Sequence, residues 1–352
     1  MTVEKILDKQ IDNNKTPSVI YQFFDNDRII FQYNNGLADI AQKISANNFT
    51  TFNAYSVTKT FTATAILQLA QHEKINLDEP AKKYLPSIEY EQDFTVRQLL
   101  THTAGLPNPL PLKWIHLLSE QNSFDRNKFF SEVFKRHNKL RSNPGEKFSY
   151  SNLGYVLLGQ MIEDVSEIEY SEFIRESILQ KAGIASSEID FIIPHFSHHA
   201  TGYQRRFSLM NFLLGFMMDK KKYTDAPENG WIPFRPFYVN GISYGGLIGS
   251  INGFVKYVQQ WLKEDCVFLN NEFKQMLFTE NFLSSGMHTG MCLSWFKGNL
   301  NGNTYFTHAG GGGGYYCEMR IYPGRKKGSV IMFNRSGMSD ERFLDKVDGF
   351  FL

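Results

Sequence analysis

Cysteine, net charge and long apolar runs are all scarce in this chain of 352 residues. Its three cysteines, Cys266, Cys292 and Cys317, are too few for a disulfide framework, so an intracellular setting is permitted. A formal net charge of +1 provides no bulk field to draw in nucleic acid, and that class of partner is set aside. The opening residues, Met1-Thr2-Val3-Glu4-Lys5-Ile6-Leu7-Asp8, lack the apolar core of a signal peptide. Cytoplasm is therefore the default expectation, with periplasm or secretion if a leader has been removed. Internal repeats and low-complexity tails are absent too. What the chain holds in quantity is apolar and aromatic material. With 42% hydrophobic residues and 31 phenylalanines it has enough for a large core and for aromatic-lined interior or cleft surfaces.

Three short motifs stand in order: Ser56-Val57-Thr58-Lys59, Tyr150-Ser151-Asn152, and His308-Ala309-Gly310 continuing to Gly314. Together they contain the parts of a serine acyl-transfer site. A hydroxyl is a poor nucleophile at neutral pH, so it needs a base beside it and hydrogen-bond donors where the oxyanion forms. Each motif recurs by chance, at Ser294 to Lys297, at Tyr33 to Asn35 and Tyr238 to Asn240, and at His288 to Gly290. Context separates the copies.

Ser56 follows a short irregular stretch, residues 52–55, and precedes Phe61, Ala65, Ile66 and Leu69 at helical spacing. Residues three apart face one another on a helix, so Lys59 reaches Ser56, and the helix N-terminus favours a developing alkoxide. Ser294 lies in a strand-like stretch, where Lys297 would point to the opposite face, and is read as structural. Tyr150 falls between the turn signal Ser142-Asn143-Pro144-Gly145 and an apolar helical run, which puts it on a loop at a helix start. Its phenol can act as a base only if a nearby cation such as a lysine stabilises the anion. Tyr33-Asn34-Asn35-Gly36 reads as an Asn-Gly hairpin turn. Tyr238-Val239-Asn240 has no context that decides its role. Gly310 to Gly314 lie between two strand-like runs, a bare backbone that allows close approach of substrate and an N–H aimed at an oxyanion.

These motifs, with Leu99-Leu100-Thr101-His102-Thr103-Ala104-Gly105-Leu106-Pro107, residues 144–155 and Gly245-Gly246-Leu247, resemble the serine β-lactamase and penicillin-binding-protein superfamily. The similarity is to its branch of class C β-lactamases, D-Ala-D-Ala carboxypeptidases and related esterases, and it spans about residues 18–334. The resemblance implies Ser56 as nucleophile, Lys59 and Tyr150 as the proton-handling pair, and the N–H groups of Ser56 and Gly311 as oxyanion hole. It implies Asn152 as a substrate-amide contact, with His308, Ala309 and Gly310 also on the substrate. Where class C β-lactamases have Lys-Thr-Gly, this chain has His308-Ala309-Gly310, which is similar to the esterase and D-peptidase members. A histidine with an ordinary pKa near ~6.5 offers mainly a hydrogen bond at neutral pH rather than a permanent cation. The expected activity is cofactor-free, metal-independent hydrolysis of esters or of peptide and amide bonds in small-molecule or peptide substrates. A penicillin-directed enzyme and an inactive binding module are the rival readings.

Strand-like alternation at residues 18–24, 28–33, 315–322 and 329–333, with Pro323-Gly324 as a turn, puts strands at both chain ends. Residues 124–137, 153–165 and 170–180 read as helices. The expected fold is α/β of the α+β type: an antiparallel sheet flanked by helices and built from both ends, residues 1–75 and 241–352. A mainly helical domain, residues 76–240, is inserted, with the site in the cleft between. Residues 207–218 form an almost wholly apolar run of twelve, flanked by Arg205-Arg206 and Lys220-Lys221-Lys222 and too short to span a bilayer. It reads as a buried helix or lid. The sharper alternative is a hydrophobic cap, Phe207, Leu209, Phe212, Leu213 and Phe216, for acyl or lipid-like substrates or a membrane surface. His102 reads as structural. His195, His198 and His199 are crowded but lack a convincing set of metal ligands around them. The pattern carries no signal of oligomeric state.

Overall fold

The computed structural model describes residues 2–109, 113–208, 211, 212, 218–336 and 342–352. The N-terminal third supplies helix α1 (Val3–Asp12) and strands β1 (Ser18–Asp25), β2 (Ile29–Asp39), β3 (Ile44–Ser45) and β4 (Thr51–Asn53). Helix α2 (Thr58–Gln71) follows, then α3 (Val96–Leu100), strand β5 (Ile115–Leu117), α4 (Arg126–Arg136) and α5 (Asn152–Ser166). Short strands β6 (Ile189–Asp190), β7 (Tyr203–Arg205), β8 (Trp231–Pro233), β9 (Phe237–Val239) and β10 (Ile248–Ser250) come next. The C-terminal part gives β11 (Phe296–Leu300), β12 (Asn303–Gly312), β13 (Tyr315–Tyr322) and β14 (Lys327–Phe333).

The two ends of the chain are joined by strand pairing. β1 runs antiparallel to β14 from Val19 opposite Phe333 to Asp25 opposite Lys327. The sheet they complete has the order β11-β12-β13-β14-β1-β2-β3 and is antiparallel at every pairing. Side chains alternate across a strand, and here both faces are covered. Ile20 and Phe24 of β1, Met319 and Ile321 of β13, and Met332 of β14 enter the main core with α2, α5 and the helix Ile251–Leu262. Val19, Tyr21, Phe23, Tyr316, Tyr322 and Phe333 enter a second core with Val3 and Leu7 of α1 and Phe343, Leu344 and Val347. This is the expected antiparallel sheet flanked by helices.

α2 lies at the centre of the main core. Every residue from Thr58 to Ala70 is buried, so the helix has no solvent face and its threonine hydroxyls must bond inside the protein. Thr60 donates to the Val57 carbonyl (2.8 Å) and Thr62 to the Ser243 carbonyl (2.6 Å). The middle of the chain contributes helices, but also the small sheets β4-β10-β6, β5-β9 and β7-β8.

Three local expectations are corrected. Residues 51–53 are not irregular: they form β4, which pairs with β10 from the other end of the chain. Tyr33-Asn34-Asn35-Gly36 is not a hairpin turn but the interior of β2. The turn lies earlier, where the Asp25 carboxylate accepts the N–H groups of Asp27 (3.0 Å) and Arg28 (2.9 Å) and so mimics a backbone turn. Gly36, at φ 90°, is there because a Cβ would run into the Pro17 carbonyl. Ser294 lies in a bend at φ 72° rather than in a strand. Among the described residues, no helix is long and apolar enough to cross a membrane.

The second core holds a buried charge cluster. The Arg320 guanidinium, fully buried, donates to Glu318 (2.7 Å) and to Asp345 (2.6 Å). Asp348, also fully buried, accepts the hydroxyls of Tyr21 (2.8 Å), Tyr322 (2.8 Å) and Ser329 (2.7 Å). The cluster ties the C-terminal turns to the sheet. Removing the one cation leaves buried carboxylates unpaired, so Arg320→Ala should lose about 3–5 kcal/mol of stability in urea unfolding.

Candidate active site

Ser56 sits in a single 3-10 turn, Tyr55–Val57, directly before α2, and not within the α-helix itself. The turn is forced by its neighbours. β4 ends at Asn53, the Ala54 N–H is taken by the Leu247 carbonyl (2.9 Å), and Tyr55 adopts φ 47°. A left-handed non-glycine residue stores strain, and such residues concentrate at functional sites. Lys59, one turn on, donates from Nζ to Ser56 Oγ (3.0 Å) and to the Tyr244 carbonyl (2.9 Å). It is fully buried, and burial holds its pKa well below the ordinary lysine value. The rings of Tyr150, Tyr244 and Tyr155 surround the amine at 4.9, 5.2 and 5.5 Å from their centroids. A neutral amine in this position keeps a lone pair for the Ser56 hydroxyl proton.

The Tyr150 segment is held by backbone bonds. Ser151 caps α5, its Oγ accepting the Gly154 N–H (3.3 Å) and donating to the Pro107 carbonyl (2.8 Å). The Ser151 N–H donates to Nδ1 of His102 (3.1 Å), whose ring lies 4.2 Å from that of Tyr150. This bond requires a bare Nδ1, so neutral His102 carries its proton on Nε2. His102 therefore supports Tyr150 directly.

The third motif is a strand edge, not a loop. Gly310, Gly311 and Gly312 belong to β12 and pair with Cys317, Tyr316 and Tyr315, so only Gly313 and Gly314 form the turn. β11 stops pairing at Thr307, which leaves residues 308–312 as an edge among the described residues. Gly310 is set by close approach: a Cβ there would lie 2.6 Å from the Ser56 amide nitrogen and strike the Ala54 carbonyl. His308 is buried, and its Nδ1 donates to the Ala309 carbonyl (2.8 Å), so its bare Nε2 is an acceptor. Burial, reinforced by the Lys59 amine, pushes its pKa down to about 3. The imidazole is neutral at every physiological pH.

One cavity of about 760 Å³ collects the predicted residues. Ser56, Tyr150, Asn152, His308, Ala309, Gly310 and Gly311 all line it, with Lys59 beneath the serine. Buried polar atoms around the site without a protein partner include Asn152 Oδ1, His308 Nε2 and His102 Nε2. Unpaired buried polar groups are uncommon and call for a partner; at Asn152 and His308 a bound substrate can supply one.

The chance copies do not assemble a second site, although Lys297 and Val239 also line the cavity. Ser294 is fully buried away from the cavity, and Lys297 pairs with Glu280 (3.2 Å). Asn240 Oδ1 bonds the His116 ring (2.8 Å), and His288 faces Glu280 (3.1 Å). His199 makes structural contacts to Thr51 (3.0 Å) and Tyr315 (3.1 Å). Of the apolar cap, Phe207 and Phe212 are exposed at the surface, while Leu209, Leu213 and Phe216 lie outside the described residues. Sequence reasoning missed Tyr244, which acts through its main-chain carbonyl. The signal was Gly245-Gly246: a Cβ at Gly246 would run into the backbone of Ile242, so a glycine is needed where the chain leaves the helix Ile242–Gly245.

The family model for beta-lactamase matches residues 3–349. Protein flp of Staphylococcus aureus (strain N315) is 27% identical over 209 residues, covering 57% of this chain and 41% of flp. Penicillin-binding protein 4* of Bacillus subtilis (strain 168) is 25% identical over 317 residues, covering 87% of this chain and 66% of that one. The chain thus spans well under half of the first relative and about two thirds of the second. Among solved structures, D-amino acid amidase from Ochrobactrum anthropi SV3 superposes with a TM-score of 0.77 at 20% identity, over 98% of this chain and 95% of the amidase.

A histidine held at about 3 in the fold and near ~6.5 when unfolded takes up its proton only on unfolding. The stability it contributes is complete above ~6.5 and declines as pH falls toward 3. Between pH 6.5 and 4.5 the wild type should lose about 2–3 kcal/mol more than His308→Asn in urea unfolding.

Proposed function

Because the chain belongs to the beta-lactamase family, we propose that it is a serine hydrolase that opens ester or peptide and amide bonds through an acyl-enzyme on Ser56. The observation that carries this reading is the buried Lys59 amine, 3.0 Å from Ser56 Oγ, with its pKa depressed by burial. The family's membership supplies the reaction type. The geometry suggests how each group would act.

Substrate enters with its carbonyl oxygen toward the N–H groups of Ser56 and Gly311. Ser56 Oγ attacks the carbonyl carbon while its proton passes to the Lys59 and Tyr150 pair. The tetrahedral intermediate collapses, the bond to the leaving oxygen or nitrogen breaks, and Tyr150 returns the proton to that atom. Water then adds to the acyl-enzyme, giving the carboxylic acid and free Ser56. Asn152, with its unpaired Oδ1, is suited to a substrate N–H or hydroxyl.

His308 favours the esterase and D-peptidase type over a penicillin-directed enzyme. Its neutral ring presents an acceptor lone pair, which repels a carboxylate and attracts a donor. A substrate without a carboxylate beside the scissile bond suits this wall.

A fluorophosphonate should label wild-type protein once, on Ser56, as read by intact mass and peptide mapping. Ser56→Ala should take no label and hydrolyse no nitrophenyl ester, and Tyr150→Phe should slow turnover by about a hundredfold. The nitrophenyl ester should be turned over faster than a chromogenic cephalosporin. Normal turnover by Ser56→Ala would overturn the assignment.

A further inference from the structure

We propose that the apolar side of the cleft, built from β5, β9, Met218 and Phe234, is an acyl-chain site, and that the preferred substrates are esters or amides of an apolar acid several carbons long. This rests on the acyl-enzyme reading above and names its substrate class. Ile115 and Val239 stand directly opposite one another across the β5-β9 pair, so their side chains share one face, and both line the same cavity as Ser56. Met218, Phe234 and Tyr244 complete that wall. Each of the five is less than a tenth exposed, so the hollow is deep and not a surface groove.

Protein interiors are packed like organic crystals, and an apolar hollow forfeits dispersion contacts along its whole lining. Such a hollow is a natural site for an apolar guest. Here it opens onto the nucleophile, where a guest can be covalently attached. Gln204, 2% exposed on β7, adds an independent sign of a ligand. The residue lines the cavity and its buried Oε1 has no protein partner, although its Nε2 donates to Ser208 (2.9 Å). β7 pairs with β8 just before Phe234, so Gln204 belongs to that part of the wall, and a hydroxyl or amide N–H carried on the chain would give its oxygen a partner.

The direction of binding follows from proton delivery. The leaving group must lie near Tyr150 to take its proton, beside Phe148 and Asn152 from the same segment. The fragment that stays on Ser56 is left with the wall built from β5, β9, Met218 and Phe234. That fragment is the acyl group.

The test is kcat/KM for nitrophenyl acetate, butyrate and octanoate with wild type, Val239→Phe and Ile115→Phe, folding being checked by circular dichroism. The wild type should gain at least tenfold from acetate to octanoate, and either filled variant should lower the octanoate-to-acetate ratio at least tenfold. A flat series, or a ratio unchanged in both folded variants, overturns the acyl site; if Ser56 is still labelled by fluorophosphonate, the hydrolase reading stands without it. Were Ser56 unreactive, calorimetry of octanoate with the Ser56→Ala protein decides the site alone. Saturable binding that is lost on adding Val239→Phe supports it, and no binding overturns it.

Discussion

Burying the Lys59 amine beside Ser56 is the constraint around which the cleft is built. An isolated ammonium taken out of water costs several kcal/mol even after relaxation, so the protein lowers its pKa instead. Around it the chain places one carbonyl, one hydroxyl and three aromatic faces, and no carboxylate contacts it among the described residues. A carboxylate at that distance would restore the charged form and remove the base. The composition of the shell and the lowered pKa of the amine are thus one fact.

Three chain segments far apart in sequence must then meet within a few ångströms of that amine. Two of the meetings depend on missing side chains. Gly310 lets β12 pass against the Ser56 amide, and Gly246 lets the chain close against Ile242 directly after the Tyr244 carbonyl that receives the Lys59 amine. The third depends on hydrogen bonds, with His102 gripping the Ser151 N–H and Pro107 receiving the Ser151 hydroxyl. Antiparallel pairing of β1 with β14 fixes the frame in which these approaches become possible. The left-handed Tyr55 is held in place by the same frame, since its ring packs under Gly312 and Gly313.

Where the sequence was legible, the signal was local and strong. β13 spans residues 315–322 as the aromatic and β-branched run indicates, and α5 lies within a residue of its expected limits because Ser151 is a good cap. The helix expected over residues 170–180 is regular only to Ile174 and widens into a π-turn over Arg175–Gln180. Where it misled, the signal was glycine or a short segment. Gly36 and Gly310 suggest turns by composition, yet both serve strands that pass too close to a neighbour for a Cβ. β4 has three residues and exists because β10 lies beside it, which no window of local sequence reports. Of the site, Ser56 and Lys59 were legible because they share one turn. Tyr244 was not, because a main-chain carbonyl has no residue signature. His102 lay in between: its structural bond was foreseen, its contact with the Tyr150 ring was not.

The apolar wall and the buried amine also bear on each other. Water that occupies the cavity beside Ile115 and Val239 stabilises the charged form of Lys59, whereas an apolar group in the same space displaces it. On the acyl-enzyme reading proposed above, binding of such a group would shift the amine toward its neutral form as the carbonyl reaches Ser56. The same displacement lowers the local dielectric and strengthens the N–H contacts to the developing oxyanion. On that reading, selectivity for an apolar substrate and activation of Ser56 would follow from the same exclusion of water.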